Sequence, residues 1–205
     1  MSMSLRVIVP PHPLISHWLT ILRNTSTPEI LYATGLEQLG TWLTYEALRD
    51  WLPHSQKEIS TQRGKAEGIL IESEIPLLAI PNLPGGLQMW QGARELLPNG
   101  SLCLGGVPEN LEKNAGILIY CDQIASGKTL LITLNKLKNL KVNSQRTRVI
   151  TSLASNDGLK NIGELFPELK IYAACIDPKL SEEGEIVPGI GNPSRRLNTR
   201  ITSSQ

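Results

Sequence analysis

Apolar residues recur at helical spacing over residues 12–23, where Leu14, Ile15, Trp18, Leu19 and Leu22 fall on one face and the turn-forming run Asn24-Thr-Ser-Thr27 closes the segment. The pattern predicts a short amphipathic helix at the opening of the chain. Thr27-Pro28-Glu29 then supplies a capping hydroxyl and a proline at the first helical position. Ile30, Leu31, Leu36, Leu39, Leu43, Ala47 and Leu48 continue an apolar face to Trp51, which predicts the longest helix of the chain and a helical N-terminal segment over residues 1–52. After Pro53 the pattern shortens. Strand-like runs at 69–72, 77–81, 101–104, 116–121, 146–153 and 170–176 are interspersed with helical periodicity at 87–97, 127–140 and 156–166. Alternation of strand and helix predicts an α/β fold: one domain over residues 1–205, with a largely parallel sheet flanked by helices and a ligand at the carboxyl ends of the strands. From Asp177 onward the chain is rich in Gly, Pro and Ser and carries Arg195, Arg196 and Arg200, which reads as an active-site loop or as a loose tail over residues 192–205.

Composition narrows the function classes. With 205 residues, 40% hydrophobic, 19% charged and a net charge of +1, the chain fits a soluble globular protein and lacks the basic excess of an electrostatic nucleic-acid binder. The basic run Lys136, Lys138, Lys141, Arg146 and Arg148 has no interleaved aromatic residues for base stacking, so it reads as a solvated face. No apolar stretch approaches the roughly 18–20 residues of a membrane-spanning helix, and Met-Ser-Met-Ser at the start has no signal-peptide pattern. Cytoplasmic residence is the expectation. Cys103, Cys121 and Cys175 lie in apolar contexts without metal-ligand spacing and read as reduced core residues. His12, His17 and His54 lie far in sequence from the segment that carries the chemistry, described next. Trp18 and Trp42 read as core or as part of a subunit interface.

That segment is Gly116-Ile-Leu-Ile-Tyr-Cys-Asp-Gln-Ile-Ala-Ser-Gly-Lys-Thr129, in which a buried-strand run passes through small residues into a helix. Small residues let the backbone approach an anion, and the free N–H groups and positive dipole end of the helix attract phosphate. Ala125, Ser126, Gly127, Lys128 and Thr129 are therefore the candidate phosphate-binding residues. The alternative is an ordinary strand-to-helix turn in which a hydroxyl merely caps the helix. Gly127-Lys128-Thr129 also matches the end of the nucleoside-triphosphatase loop, but Asp122 stands where that motif needs its first glycine.

Four segments together resemble the uracil phosphoribosyltransferase family, which has the type I phosphoribosyltransferase fold. They are His12-Pro-Leu-Ile-Ser-His-Trp-Leu-Thr-Ile-Leu-Arg-Asn24, Leu39-Gly-Thr-Trp-Leu-Thr-Tyr-Glu-Ala-Leu-Arg-Asp50, residues 121–129, and Ile171-Tyr-Ala-Ala-Cys-Ile-Asp-Pro-Lys-Leu-Ser-Glu-Glu-Gly-Glu-Ile-Val-Pro-Gly-Ile-Gly191. The resemblance implies transfer of ribose 5-phosphate from phosphoribosyl pyrophosphate to uracil, giving UMP and pyrophosphate, with Mg2+ carried by the sugar substrate and a homodimer as the assembly. It places base binding at Ile186, Gly189, Ile190 and Gly191 through backbone groups, and a ribose-binding acid at Asp122.

The chain departs from the family at several of these places. Cys121 replaces the usual ribose-binding carboxylate, Lys128 replaces a glycine, and Pro84 stands where the family has an arginine after its Pro-Ile-Leu strand. The arginine-bearing arm is compressed to residues 105–116, and Gly191-Asn-Pro-Ser-Arg195 alters both acidic positions of the base loop. Two functions follow. One is a divergent uracil phosphoribosyltransferase of pyrimidine salvage. The other is a catalytically silent relative that binds a nucleotide or phosphate, or a partner protein.

Overall fold

The longest fully buried strand, Thr147–Ser155, runs through the middle of a six-stranded sheet. The computed structural model describes residues 5–72, 74–97, 99–112 and 114–198. In chain order its strands are β1 (Arg6–Ile8), β2 (His54–Thr61), β3 (Gly64–Ile71), β4 (Leu77–Pro81), β5 (Gly100–Leu102), β6 (Gly116–Ile124), β7 (Thr147–Ser155), β8 (Lys170–Asp177), β9 (Lys179–Leu180) and β10 (Ile186–Val187). The helices are α1 (Pro13–Arg23), α2 (Glu29–Leu48), α3 (Gly85–Ala93), α4 (Lys128–Asn139), α5 (Asn156–Leu165) and α6 (Pro193–Arg196). The sheet order is β1-β8-β7-β6-β4-β5, and every pairing in it is parallel. The expected α/β architecture is therefore present.

Burial on both faces explains the near-continuous apolar run of β6, because helices cover each side of a parallel sheet. Helices α1, α2 and α3 close one face through a core that includes Leu22, Tyr32, Leu36, Leu43, Met89 and Tyr120. Helices α4 and α5 close the other, where Leu130, Leu134 and Ile162 pack on Ile117, Ile119 and Val149. The α2 helix is the longest of the described residues, as its apolar face predicts, and α1 is capped by His12, whose Nδ1 accepts from the Leu14 N–H.

Several sequence expectations are corrected. Among the described residues the first element is a strand and not a helix: β1 precedes α1 and pairs with β8 at the sheet edge, a three-residue strand too short to register as a periodic pattern. The run at 69–72 is the end of a longer antiparallel hairpin, β2–β3, which projects with most of its residues exposed; the polar sequence of β2 concealed it. The segment after Asp177 forms β9, β10 and α6 up to residue 198, while Arg200 and the rest of the expected tail lie outside the described residues, as does Met-Ser-Met-Ser. Only Cys121 of the three cysteines is buried; Cys103 and Cys175 are half-buried, and all three are free thiols.

The basic run is not uniformly solvated either. Arg148 is buried with its guanidinium 4.9 Å from the Trp51 ring, and Arg146 donates to the Ala115 carbonyl. All four tryptophans are half-buried, and His12 stacks on Trp42 with 5.8 Å between ring centroids. Among the described residues no helix is long and apolar enough to cross a membrane.

Candidate functional site

Strand β6 delivers the chain to the carboxyl edge of the sheet, where it turns at residues 125–127 and enters α4. A cavity of about 220 Å³ opens there, lined by Asn82 and by residues 121–130. All five predicted phosphate-binding residues, Ala125, Ser126, Gly127, Lys128 and Thr129, line it together with Asp122.

Gly127 is the N-cap of α4 and takes φ +78°, a left-handed conformation that glycine adopts without steric cost. It brings no capping side chain, so the first N–H groups of α4, which have no intrahelical acceptor, remain available at the cavity with the positive end of the helix dipole. The contrast with α5 is local: there Ser155 caps, its Oγ accepting from the Gly158 N–H at 2.9 Å.

The turn is held from outside the cavity. Ser155 Oγ donates to the Ala125 carbonyl at 2.6 Å, Asn161 Nδ2 donates to the Ser126 carbonyl at 3.1 Å, and Ser152 Oγ donates to the Asp122 carbonyl. The Ser152 and Ser155 hydroxyls of the buried strand β7 thereby find acceptors on β6 and its turn, as buried polar groups require. These bonds fix the turn's carbonyls on the α5 side.

Asp122 is the acid of the cavity. Its Oδ1 accepts from the Gln123 N–H at 2.7 Å, and the Gly85 N–H at the start of α3 also bonds the carboxylate. Burial nevertheless pushes its carboxyl up to about 6, with the two N–H bonds opposing the shift. Cys121, by contrast, is buried among the side chains under α4 and accepts a bond from Asn82 Nδ2 at 3.1 Å. Burial pushes its thiol up, and the Asp122 charge adds to the effect, so it stays a neutral thiol.

The four predicted base-binding residues do not line this cavity. Ile186 and Ile190 bury their side chains in the core under α1 and α2, and the backbone between them turns at Gly189, with φ +66°. The Gly189 N–H donates to Asp177 Oδ2 at 2.9 Å, its carbonyl accepts from Arg23 Nη1 at 2.9 Å, and the Ile190 carbonyl accepts from Tyr32 and Arg196. Tyr32 connects the two regions. It is buried, its hydroxyl donates to the Ile190 carbonyl and its ring lies 4.2 Å from the Arg196 guanidinium; burial pushes the hydroxyl up, Arg196 opposes this and the Asp122 charge adds to it.

Sequence reasoning did not single out Asn82, Arg23, Tyr32 or Asp177 for this site, and it placed Arg196 only in a C-terminal segment read as an active-site loop or a loose tail. Asp177 ends β8 at the carboxyl edge of a parallel sheet, which is a usable signal. Arg23 and Arg196 are surface-like cations in the pattern, and only the three-dimensional meeting of α1 with the C-terminal segment reveals them. Among the described residues no three His, Cys, Asp or Glu side chains gather where they could hold a metal ion.

Comparison with known proteins covers nearly the whole chain. The chain is 35% identical over 213 aligned residues to the uracil phosphoribosyltransferase of Synechococcus elongatus, covering 96% of this chain and 98% of that one. It is 34% identical to the chloroplastic uracil phosphoribosyltransferase of Arabidopsis thaliana, covering 93% of this chain and 70% of the relative. Among solved structures, the AQ2163 protein from Aquifex aeolicus superposes with a TM-score of 0.79 at 28% identity, covering 93% of this chain and 97% of that one. The family described as uracil phosphoribosyltransferase matches residues 9–199. With nearly its whole length matched, this chain belongs to the uracil phosphoribosyltransferase family.

Proposed function

We propose that the chain binds the 5-phosphoribosyl group in the cradle of residues 125–129 and transfers it to uracil, in the manner its family name describes. The observation that carries this reading is the open start of α4: Gly127 leaves the helix N–H groups uncapped at a cavity that also holds Ser126, Lys128, Thr129 and Asp122. In the reaction the uracil N1 forms a bond to the anomeric carbon as the bond to pyrophosphate breaks, and the uracil proton leaves to solvent.

The residues of the chain have separate parts in this scheme. Backbone N–H groups, Ser126 and Thr129 hold the 5-phosphate, and Lys128 adds charge. Asp122, ionised above pH about 6, accepts from ribose hydroxyls and stabilises positive charge developing on the sugar. The backbone of Ile186, Gly189, Ile190 and Gly191 presents polar groups to the base. Phosphoribosyl pyrophosphate would enter as its Mg2+ complex, in which the metal would supply positive charge to the pyrophosphate group. Cytoplasmic residence and a homodimer complete the reading; the exposed Ile69 and Ile71, two residues apart on one face of β3, offer an apolar face for association, and sedimentation velocity tests it.

A specific observation favours a second reading, a nucleotide- or phosphate-binding relative without turnover. Pro84, which precedes the Gly85 whose N–H bonds Asp122, stands where the resemblance places an anion-clamping arginine, and Cys121 is a buried thiol in place of a carboxylate. A partner protein belongs to this second reading. The deciding experiment is UMP formation from labelled uracil and phosphoribosyl pyrophosphate, with and without Mg2+, beside Gly127→Glu. Magnesium-dependent UMP abolished by Gly127→Glu supports transfer. Absence of UMP at high protein concentration, with UMP still bound in calorimetry, supports the silent reading.

A further inference from the structure

Arg23, in the last turn of α1, and Asp177, at the end of β8, form a two-point ion pair: Nη2 to Oδ1 at 2.6 Å and Nη1 to Oδ2 at 2.9 Å. Asp177 is only 3% exposed. Burial opposes its ionisation, but the bonds from Arg23 and from the Gly189 N–H outweigh burial and hold its carboxyl below the ordinary value. Asp177 also pushes the Arg23 guanidinium up, chiefly through their hydrogen bond. The pair is therefore held in its charged form, with Asp177 enclosed and Arg23 half-buried.

Each member of the pair also grips the backbone of one glycine. Asp177 Oδ2 takes the Gly189 N–H and Arg23 Nη1 takes the Gly189 carbonyl, both at 2.9 Å. These two groups belong to successive peptide planes, and a peptide plane is rigid. Fixing both planes fixes φ and ψ of Gly189, which is the turning point of the loop. A side chain there is excluded twice, by φ +66° and by the Ile186 carbonyl, which a Cβ would strike. The next carbonyl, of Ile190, is taken by Tyr32 and Arg196, so the path of the backbone is set up to Gly191, which is exposed.

We infer that Arg23 and Asp177 are positioning residues for the base: they set the loop of residues 186–191 in the conformation that recognises uracil, without touching the substrate. The inference rests on the proposed transfer to uracil. It separates the two substrates of that reaction, because the phosphoribosyl cradle is held by β7 and α5 and shares none of these bonds. Lysine at position 23 would keep the charge and lose the planar fork, and asparagine at 177 would keep the shape and lose the charge.

The test uses the full chain with Arg23→Lys and Asp177→Asn. The expected result is a KM for uracil raised about 10- to 100-fold, the scale of a small misplacement, with the KM for phosphoribosyl pyrophosphate within about twofold of the parent. Hydrogen exchange should quicken over residues 186–191 and stay unchanged over 125–130, a pattern that general destabilisation does not give. Two KM values that rise together, or neither rising, overturn the inference. If the unsubstituted chain forms no UMP, the transfer reading fails by itself, and calorimetry then decides: UMP binding weakened by Arg23→Lys with inorganic phosphate binding unchanged upholds the positioning role. Equal UMP affinity in parent and variant, or no UMP binding by the parent, overturns it.

Discussion

Gly158, in the first turn of α5, leaves no room for a side chain because a Cβ there would strike the carbonyl oxygen of Ala125. The cradle thus meets α5 backbone to backbone here, beside the bonds from Ser155 and Asn161, and a Cβ on Gly127 would in turn stand 3.1 Å from the Gly158 oxygen. Gly158→Ala must push the two segments apart. The expected cost is about 1–3 kcal/mol of stability, the usual scale of overpacking, together with weaker phosphate binding because the turn moves. Urea unfolding and calorimetric titration of inorganic phosphate check the two effects, and unchanged phosphate affinity would contradict the assignment of the cradle.

Lys128 is exposed at the first position of α4, so its charge contributes to an anion and little to folding. Lys128→Ala should reduce affinity for phosphoribosyl pyrophosphate by about fivefold at low salt, corresponding to about 1 kcal/mol, and by less as salt screens the interaction. Stability should stay within about 0.5 kcal/mol of the parent. Binding titrations at two ionic strengths provide the measurement.

The strand–turn–helix unit that carries the proposed cradle was legible in the sequence because its parts are contiguous: a buried-strand run, small residues, then a helix, within residues 116–140. The parallel sheet was legible for the same reason, since each strand–helix unit announces itself locally. What escaped is what depends on distant segments meeting. Arg196 looks like a tail cation until Leu22, Asn24 and Thr27 are seen to face it, 169 to 174 residues away. Arg148 looks solvated in a run of basic residues, yet it sits on the central strand against Trp51. The β2–β3 hairpin has few apolar contacts of its own to pattern its sequence, and β1 is too short to show a period.

Arg196 anchors the C-terminal segment to the end of α1. Its guanidinium lies 4.2 Å from the Tyr32 ring and donates to the carbonyls of Leu22, Asn24, Thr27 and Ile190. Arg196→Ala strands these acceptors, three of them at the end of α1 and the loop that follows it. A loss of about 2–4 kcal/mol is expected, from several charge-assisted bonds and the ring contact together. Arg196→Lys should recover only part of this, because an ammonium cannot span the same acceptors. Chemical unfolding of both variants measures the difference, and equal stability of the alanine variant and the parent would refute the anchor.

The raised pKa of Asp122 makes two opposite demands on pH. Its folded value of about 6 lies above its ordinary value of 3.8, so between these values the folded chain holds a proton that the unfolded chain has released. Stability from this group is therefore highest in acid and falls as pH rises from about 4 to about 6, by up to about 3 kcal/mol, then stays level. Comparison with Asp122→Asn isolates the effect, since other carboxyls titrate in both: the variant should gain on the parent across that window. Activity runs the other way. Accepting hydrogen bonds from ribose requires the ionised carboxylate, so kcat/KM should fall about tenfold per pH unit below about 6 in the parent. Asp122→Asn should be slower at pH 8 and lack that acidic limb. An acidic limb that persists unchanged in the variant would assign the titration to another group and remove Asp122 from the ribose site.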